Sequence, residues 1–189
     1  MPNEEEALVL DYLPKGRVNS FKPEPIAQVL GKQFFSLLEV VPKKELKVME
    51  TVYVGKEDRE KIEFIKRRVN FEQLTSTAIA ELDKAVEKIV VEDKQRFLEF
   101  FNSSRSITLR RHQLQLLPGM GKKHMQDLLK EREKKPFSSF EDISARVKLL
   151  PDPLKTLVKR IKLELEDDSL NHYLFARPPV KERRFDRRF

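Results

Sequence analysis

The chain has 189 residues, 39% hydrophobic and 37% charged, with 38 Lys and Arg against 31 Asp and Glu and no Cys. That is apolar material for one large domain or two small ones, and a chain without Cys cannot be a disulfide-stapled secreted scaffold. The acidic start MPNEEEALVL is not a signal peptide and no apolar run approaches a membrane span, so the expectation is a soluble cytoplasmic protein without a membrane partner.

Lys and Glu supply most of the charge and Asn and Gln are sparse, a mixture described for thermophilic proteins. The formal net charge of +7 points to a polyanionic partner. From Arg177 to Phe189 six Lys or Arg face only Glu182 and Asp186, a net +4, so the rest of the chain is close to balanced.

Residues 7–54 hold short Val-, Phe- and Tyr-containing runs broken by Pro, Gly and Lys, including ALVLDYL, PIAQVLG, QFFSLLEVV and LKVMETVYV. They read as four or five antiparallel strands of a small curved sheet or barrel. In the last run Val48, Glu50, Val52 and Val54 share one face. After Gly55 the period becomes helical, with Ile62, Ile65 and Val69, then Ile79, Leu82, Val86 and Ile89, then Phe97, Leu98 and Phe101. Thr75 or Ser76 caps the second of these helices. From Ser106 the chain reads as short helices joined by tight turns, with Ser138 or Ser139 capping FEDISARV and Pro153 at a helix start. Strands and helices are segregated, which predicts an α+β chain of two domains, 1–70 and 71–176, and a basic tail at 177–189.

Residues 116–129, LLPGMGKKHMQDLL, carry two of the five glycines. Pro118 stops one helix, Gly119 supplies a positive φ, Met120 points into the gap between helices, and Gly121 opens the next helix. The amides of Gly119, Gly121, Lys122 and Lys123 then face outward at a positive helix end, a natural phosphate site that reads backbone rather than bases. LLPDPLKTLVKRI at 149–161 repeats the pattern without the glycines, which implies a structural role for the second copy.

This stretch resembles a helix-hairpin-helix motif, departing from it at Met125, where a small residue is usual. The N-terminal strands resemble an OB-fold barrel, whose curved face binds single strands. That likeness makes Tyr12, Phe21, Phe34, Phe35 and Tyr53 candidates for base stacking, with Lys15, Arg17, Lys22 and Lys32 for phosphates. Together with FFSLLEVVPK, VYVGKEDREKIEFIKRRV and FEQLTSTAIAEL, the two likenesses resemble a conserved archaeal family of unknown function, predicted to bind RNA. That family pairs an OB-like antiparallel β-barrel with an all-α helix-hairpin-helix domain. The tail interleaves Arg with aromatics, which suits RNA contact by Arg183, Arg184, Arg187 and Arg188, while Tyr173 to Phe175 dock on the folded body.

Catalysis finds little support. Three His without Cys leave no zinc spacing, no nucleotide fingerprint is present, and Glu166, Asp167 and Asp168 read as an acidic helix end. No catalytic residue, metal or cofactor is expected. The reading is a non-enzymatic nucleic-acid-binding protein, RNA preferred over DNA, related to ribosome assembly or translation. The alternatives are a DNA protein of repair or replication and a protein-interaction scaffold. Nothing in the sequence speaks to oligomeric state.

Overall fold

Val-, Leu- and Ile-rich segments pair as five antiparallel strands, since branched side chains fit a pleated, buried surface. They are β1 (Glu6–Leu13), β2 (Ile26–Gly31), β3 (Leu37–Pro42), β4 (Thr51–Tyr53) and β5 (Ile62–Arg68), ordered β4-β1-β2-β3-β5. A computed structural model describes residues 4–17 and 24–179. The β1–β2 register shifts between Val9 and Asp11, and the β3–β5 register at Glu39/Val40 and Val41/Pro42. Such bulges bend a strand and add twist, which curls the sheet.

Alternate residues Ala7, Val9, Ala27, Val29, Leu38 and Val40 form one buried cluster with Leu46, Val52, Val54 and Ile62. The residues between them, such as Leu8, Leu10, Gln28, Leu30 and Glu39, are buried as well. The three central strands are therefore covered on both faces.

Three expectations need correction. Ile62–Arg68 is a strand, not a helix; the bulges break its alternation, which is why its apolar residues fall at spacings of three and four. LKVMETVYV is a strand only at Thr51–Tyr53, because Met49 takes a left-handed φ of 67° and turns the chain. Beyond Ser106 the chain first makes a two-stranded ribbon, β6 (Ser106–Thr108) with β7 (Arg111–His112).

The helices are α1 (Ser76–Glu92), α2 (Lys94–Ser103), α3 (Lys122–Lys134), α4 (Phe140–Arg146) and α5 (Pro153–Glu166). Thr75 Oγ1 accepts from the Ala78 amide at 3.1 Å and Ser139 Oγ from the Asp142 amide at 3.1 Å, so both caps are as the residue types imply. The chain divides into two compact units, one from Met1–Glu81 with Glu164–Phe189, the other Leu82–Leu163.

The sheet unit contains two buried carboxylates that organise backbone. Glu4 accepts from the amides of Gln33, Phe34 and Ser36 at 2.9–3.1 Å. Glu164, 1% exposed, accepts from Leu174, Phe175 and Ala176 at 2.7–2.9 Å and so holds the segment leaving α5. The Arg177 amide then donates to the Phe34 carbonyl at 2.8 Å. The backbone amides of Leu174 to Ala176 are held in this way, and the Tyr173 hydroxyl donates to the Asp167 carbonyl at 3.2 Å.

Candidate nucleic-acid interface

The glycine turn lies in the helical unit. Its approach is a four-residue 3-10 helix, Gln113–Leu116, rather than a full α-helix. The Met120 amide donates to the Leu117 carbonyl at 3.0 Å, closing a turn over Pro118 and Gly119. Gly119 has φ +80°, and a Cβ there would also lie 3.1 Å from Pro151 Cγ. The fold itself therefore demands that glycine. Met120 is 7% exposed and serves the core.

Gly121 is different. It is the N-cap of α3 with φ −75° and ψ 169°, a conformation open to any residue, and a Cβ there would meet nothing within 4 Å. No side chain caps α3. Its first-turn N–H groups have no intrahelical acceptor, so they face an open surface at the positive end of the helix dipole. Lys122 and Lys123 are exposed beside them and pair with no carboxylate among the described residues. Backbone donors, dipole and two exposed lysines at one place have the chemistry to hold an anion.

The degenerate repeat builds this turn instead of copying it. Pro151 packs on Gly119. Arg160, on α5 and 4% exposed, donates Nη1 to the Leu116 carbonyl at 3.1 Å, tying down the residue before the turn. Asp152 Oδ1 accepts from the Lys155 amide at 3.0 Å and caps the start of α5. One copy thus leaves its helix N-terminus open and the other closes its own with a carboxylate.

A groove of about 370 Å³ beside α3 is lined by the basic residues Lys123, Lys130, Lys134, Arg146 and Lys148 and by His124, with Asp127 and Glu131 as its carboxylates. His124 Nδ1 is buried without a partner among the described residues. Arg146 anchors the far wall. It donates to the carbonyls of Glu131 and Lys135 and to Asp142, and lies 4.5 Å over the Phe137 ring. The amide of Ser138, followed by Arg146, holds the Asp142 carboxyl below the usual carboxylate range.

On the sheet unit the candidates are dispersed among structural contacts. Tyr12 is half-buried against the sheet cluster. Arg17 donates to Glu39 at 2.7 Å and to the Gln73 carbonyl at 2.8 Å, and Lys32 pairs with Glu6 at 3.1 Å. Phe34 lies under the Arg177 guanidinium at 4.9 Å, and the Tyr53 hydroxyl accepts from the Glu57 amide at 3.3 Å. Phe35 is fully buried with a left-handed φ of 49°. Lys15 is exposed and pairs with no carboxylate among the described residues.

The sequence matches the family described as Protein of unknown function (DUF655) over residues 3–177. The chain belongs to this family. It is 43% identical over 178 residues to the uncharacterised protein MJ0038 of Methanocaldococcus jannaschii, covering 92% of this chain and 80% of that protein. It is also similar to the crystal structure of Af1531 from Archaeoglobus fulgidus, assigned to DUF655. That likeness has a TM-score of 0.84 at 44% identity and covers 92% of this chain and all of the other. Both relatives are archaeal, and an α+β chain of the DUF655 family is what the comparisons support.

The DUF655 match ends at residue 177, the first residue of the basic tail. Arg183, Arg184, Arg187 and Arg188, with Phe21 and Lys22, lie outside the described residues. At the end of α5, Asp167 accepts from the Ser169 hydroxyl and amide, which hold its carboxyl low and make it a turn residue. No helix among the described residues is long and apolar enough to cross a membrane.

Sequence reasoning missed three groups that shape or extend the turn in this DUF655 protein. Arg160 gives no local signal, because a basic residue on a helix face reads as solvated. Pro151 holds the place in the repeat that Pro118 holds in the first copy, which hides its packing role. The β6–β7 ribbon had a readable mark: the 27 residues from Phe100 to Gln126 contain no Asp or Glu, in a chain where 31 of 189 residues are acidic.

Proposed function

We propose that this DUF655 protein is a non-enzymatic nucleic-acid-binding protein that holds RNA through its phosphate backbone at Gly119–Lys123. The observation that carries this reading is Gly121. The fold does not require a glycine there, yet the position lacks a side chain where a bound phosphate would approach the α3 amides. A glycine is also a tolerable N-cap, but it leaves Lys122 and Lys123 and the acid-free approach without a reason. The turn supports a helix-hairpin-helix reading with a shortened first helix. The five antiparallel strands and their bulges support an OB-like one. Because the central strands are covered on both faces, the turn rather than the sheet is the primary contact. The tail's arginines add salt-sensitive affinity.

Fluorescence anisotropy with labelled single-stranded RNA, single-stranded DNA and duplex DNA, at two salt concentrations, tests this on wild type and Gly121→Asp. Aspartate is the better N-cap and suits the helix dipole, so the variant should be as stable or more stable by several tenths of a kcal/mol. Its carboxylate would take the place of the phosphate, so RNA binding should be lost. A folded Gly121→Asp protein with wild-type RNA affinity overturns the reading. Tighter binding to duplex DNA moves it to DNA. Salt-insensitive association with a protein and none with nucleic acid moves it to a scaffold.

A further inference from the structure

The β6–β7 ribbon projects from the same unit as the glycine turn. Its base is clamped: the Gln113 amide donates to the Arg105 carbonyl at 3.0 Å and the Arg105 amide to Gln113 Oε1 at 2.7 Å. Arg132 holds the preceding Ser104 through its carbonyl at 2.9 Å and its hydroxyl at 3.0 Å. His112 Nδ1 accepts from the Leu114 amide at 3.1 Å, capping the 3-10 helix that follows directly. The tip is the reverse. Leu109 is 107% exposed, and Arg110 and Arg111 beside it are exposed, as is the side chain of Arg105 at the base. None of the three pairs with a carboxylate among the described residues.

One exposed leucine is ordinary on any surface. Three exposed arginines on one short ribbon that pair with no carboxylate among the described residues, within the acid-free stretch from Phe100 to Gln126, are not. Elsewhere in this unit arginines find partners, as Arg146 does with Glu131 and Asp142. An isolated ribbon that repels its own cations is a poor structural device. The same ribbon against a polyanion is neutralised, since planar guanidinium forks fit phosphate oxygens. Only the four-residue 3-10 helix Gln113–Leu116 and the turn itself separate the ribbon from Gly121. At about 2 Å per residue that helix spans on the order of 8 Å, so both elements can meet one nucleic acid.

We infer that the β6–β7 ribbon is a second nucleic-acid contact, with Arg105, Arg110 and Arg111 on backbone phosphates and Leu109 inserted against bases. An apolar residue of this kind acts as a wedge at a base step, not as a stacking platform. The inference rests on the nucleic-acid reading above, but not on the glycine turn.

Two variants separate charge from wedge: Arg110→Gln/Arg111→Gln and Leu109→Ala. These side chains are exposed, so both variants should fold as wild type, checked by circular dichroism. Binding would be measured by anisotropy against a labelled RNA stem-loop, single-stranded RNA and duplex DNA across a salt series. The arginine pair should lower the slope of log affinity against log salt by about 1.5 to 2. Leu109→Ala should weaken binding about tenfold with the slope unchanged. Wild-type affinity and slope in both variants overturn the inference. If Gly121→Asp still abolishes binding in that case, the turn reading stands alone. Loss in the ribbon variants with wild-type binding by Gly121→Asp leaves the ribbon as the contact and removes the turn. Wild-type protein that binds none of the three probes overturns both.

Discussion

Pro151 lies against Gly119, its Cγ 3.1 Å from where a Cβ of residue 119 would sit. The second copy of the repeat therefore shapes the first. The turn's φ of +80° and this contact together explain one of the two glycines by folding alone. That leaves Gly121 as the glycine that the fold does not require.

Gly119→Ala should destabilise the protein by about 1–2 kcal/mol from the left-handed backbone alone, and by more from the clash with Pro151. Urea unfolding of Gly119→Ala, Pro151→Ala and the double variant gives the coupling. A double variant whose loss equals the two single losses added together would show that the contact does not contribute.

Arg160→Met keeps length and apolar bulk but strands the Leu116 carbonyl, buried beneath the turn. The expected loss is about 1–3 kcal/mol, and hydrogen exchange should quicken at the Leu117 and Met120 amides. Unchanged exchange at both would show that Arg160 does not position the turn.

Burial, then the Arg132 guanidinium, hold the His112 imidazole below its ordinary value of 6.5, although the Ser104 backbone acts the other way. The unfolded chain then binds the proton that the folded chain resists, so stability falls as pH drops below about 6.5 and levels off below the folded value. His112→Asn retains an acceptor for the Leu114 amide and does not titrate, and should flatten this fall. Melting temperatures of both proteins across that window decide it, and equal slopes would count against His112.

Glu164→Ala leaves the amides of Leu174, Phe175 and Ala176 without their acceptor. Hydrogen bonds to a charged group contribute about 1.5–3 kcal/mol each and do not add, so a loss of about 3 kcal/mol is expected. Residues 174–177 should also become a protease site. Glu164→Gln keeps one acceptor oxygen and should fall between. Wild-type protease resistance in Glu164→Ala would show that the segment is held by other contacts.

Much of the helical half was legible in residues. Thr75, Ser139 and Pro153 act locally, through side chains or a ring that shape the next turn, and their positions follow from type. The strand at Ile62–Arg68 was not legible, because its pairing with β3 carries two register shifts and the apolar spacing imitates a helix. The sheet candidates failed to separate for a related reason. Arg17 and Lys32 read as free cations until the fold supplied Glu39 and Glu6 as partners.

The sequence by itself determined where the glycine turn lies, that lysines follow it, and that no carboxylate occurs between Glu99 and Asp127. Those are properties of chain neighbours, which physical chemistry reads without a fold. Only the tertiary structure decided that Gly119 answers to Pro151 while Gly121 answers to nothing in the protein. It also decided that Asp152 closes the second helix end while the first stays open. Contacts between residues some thirty positions apart depend on packing, and periodicity along the chain carries no record of them.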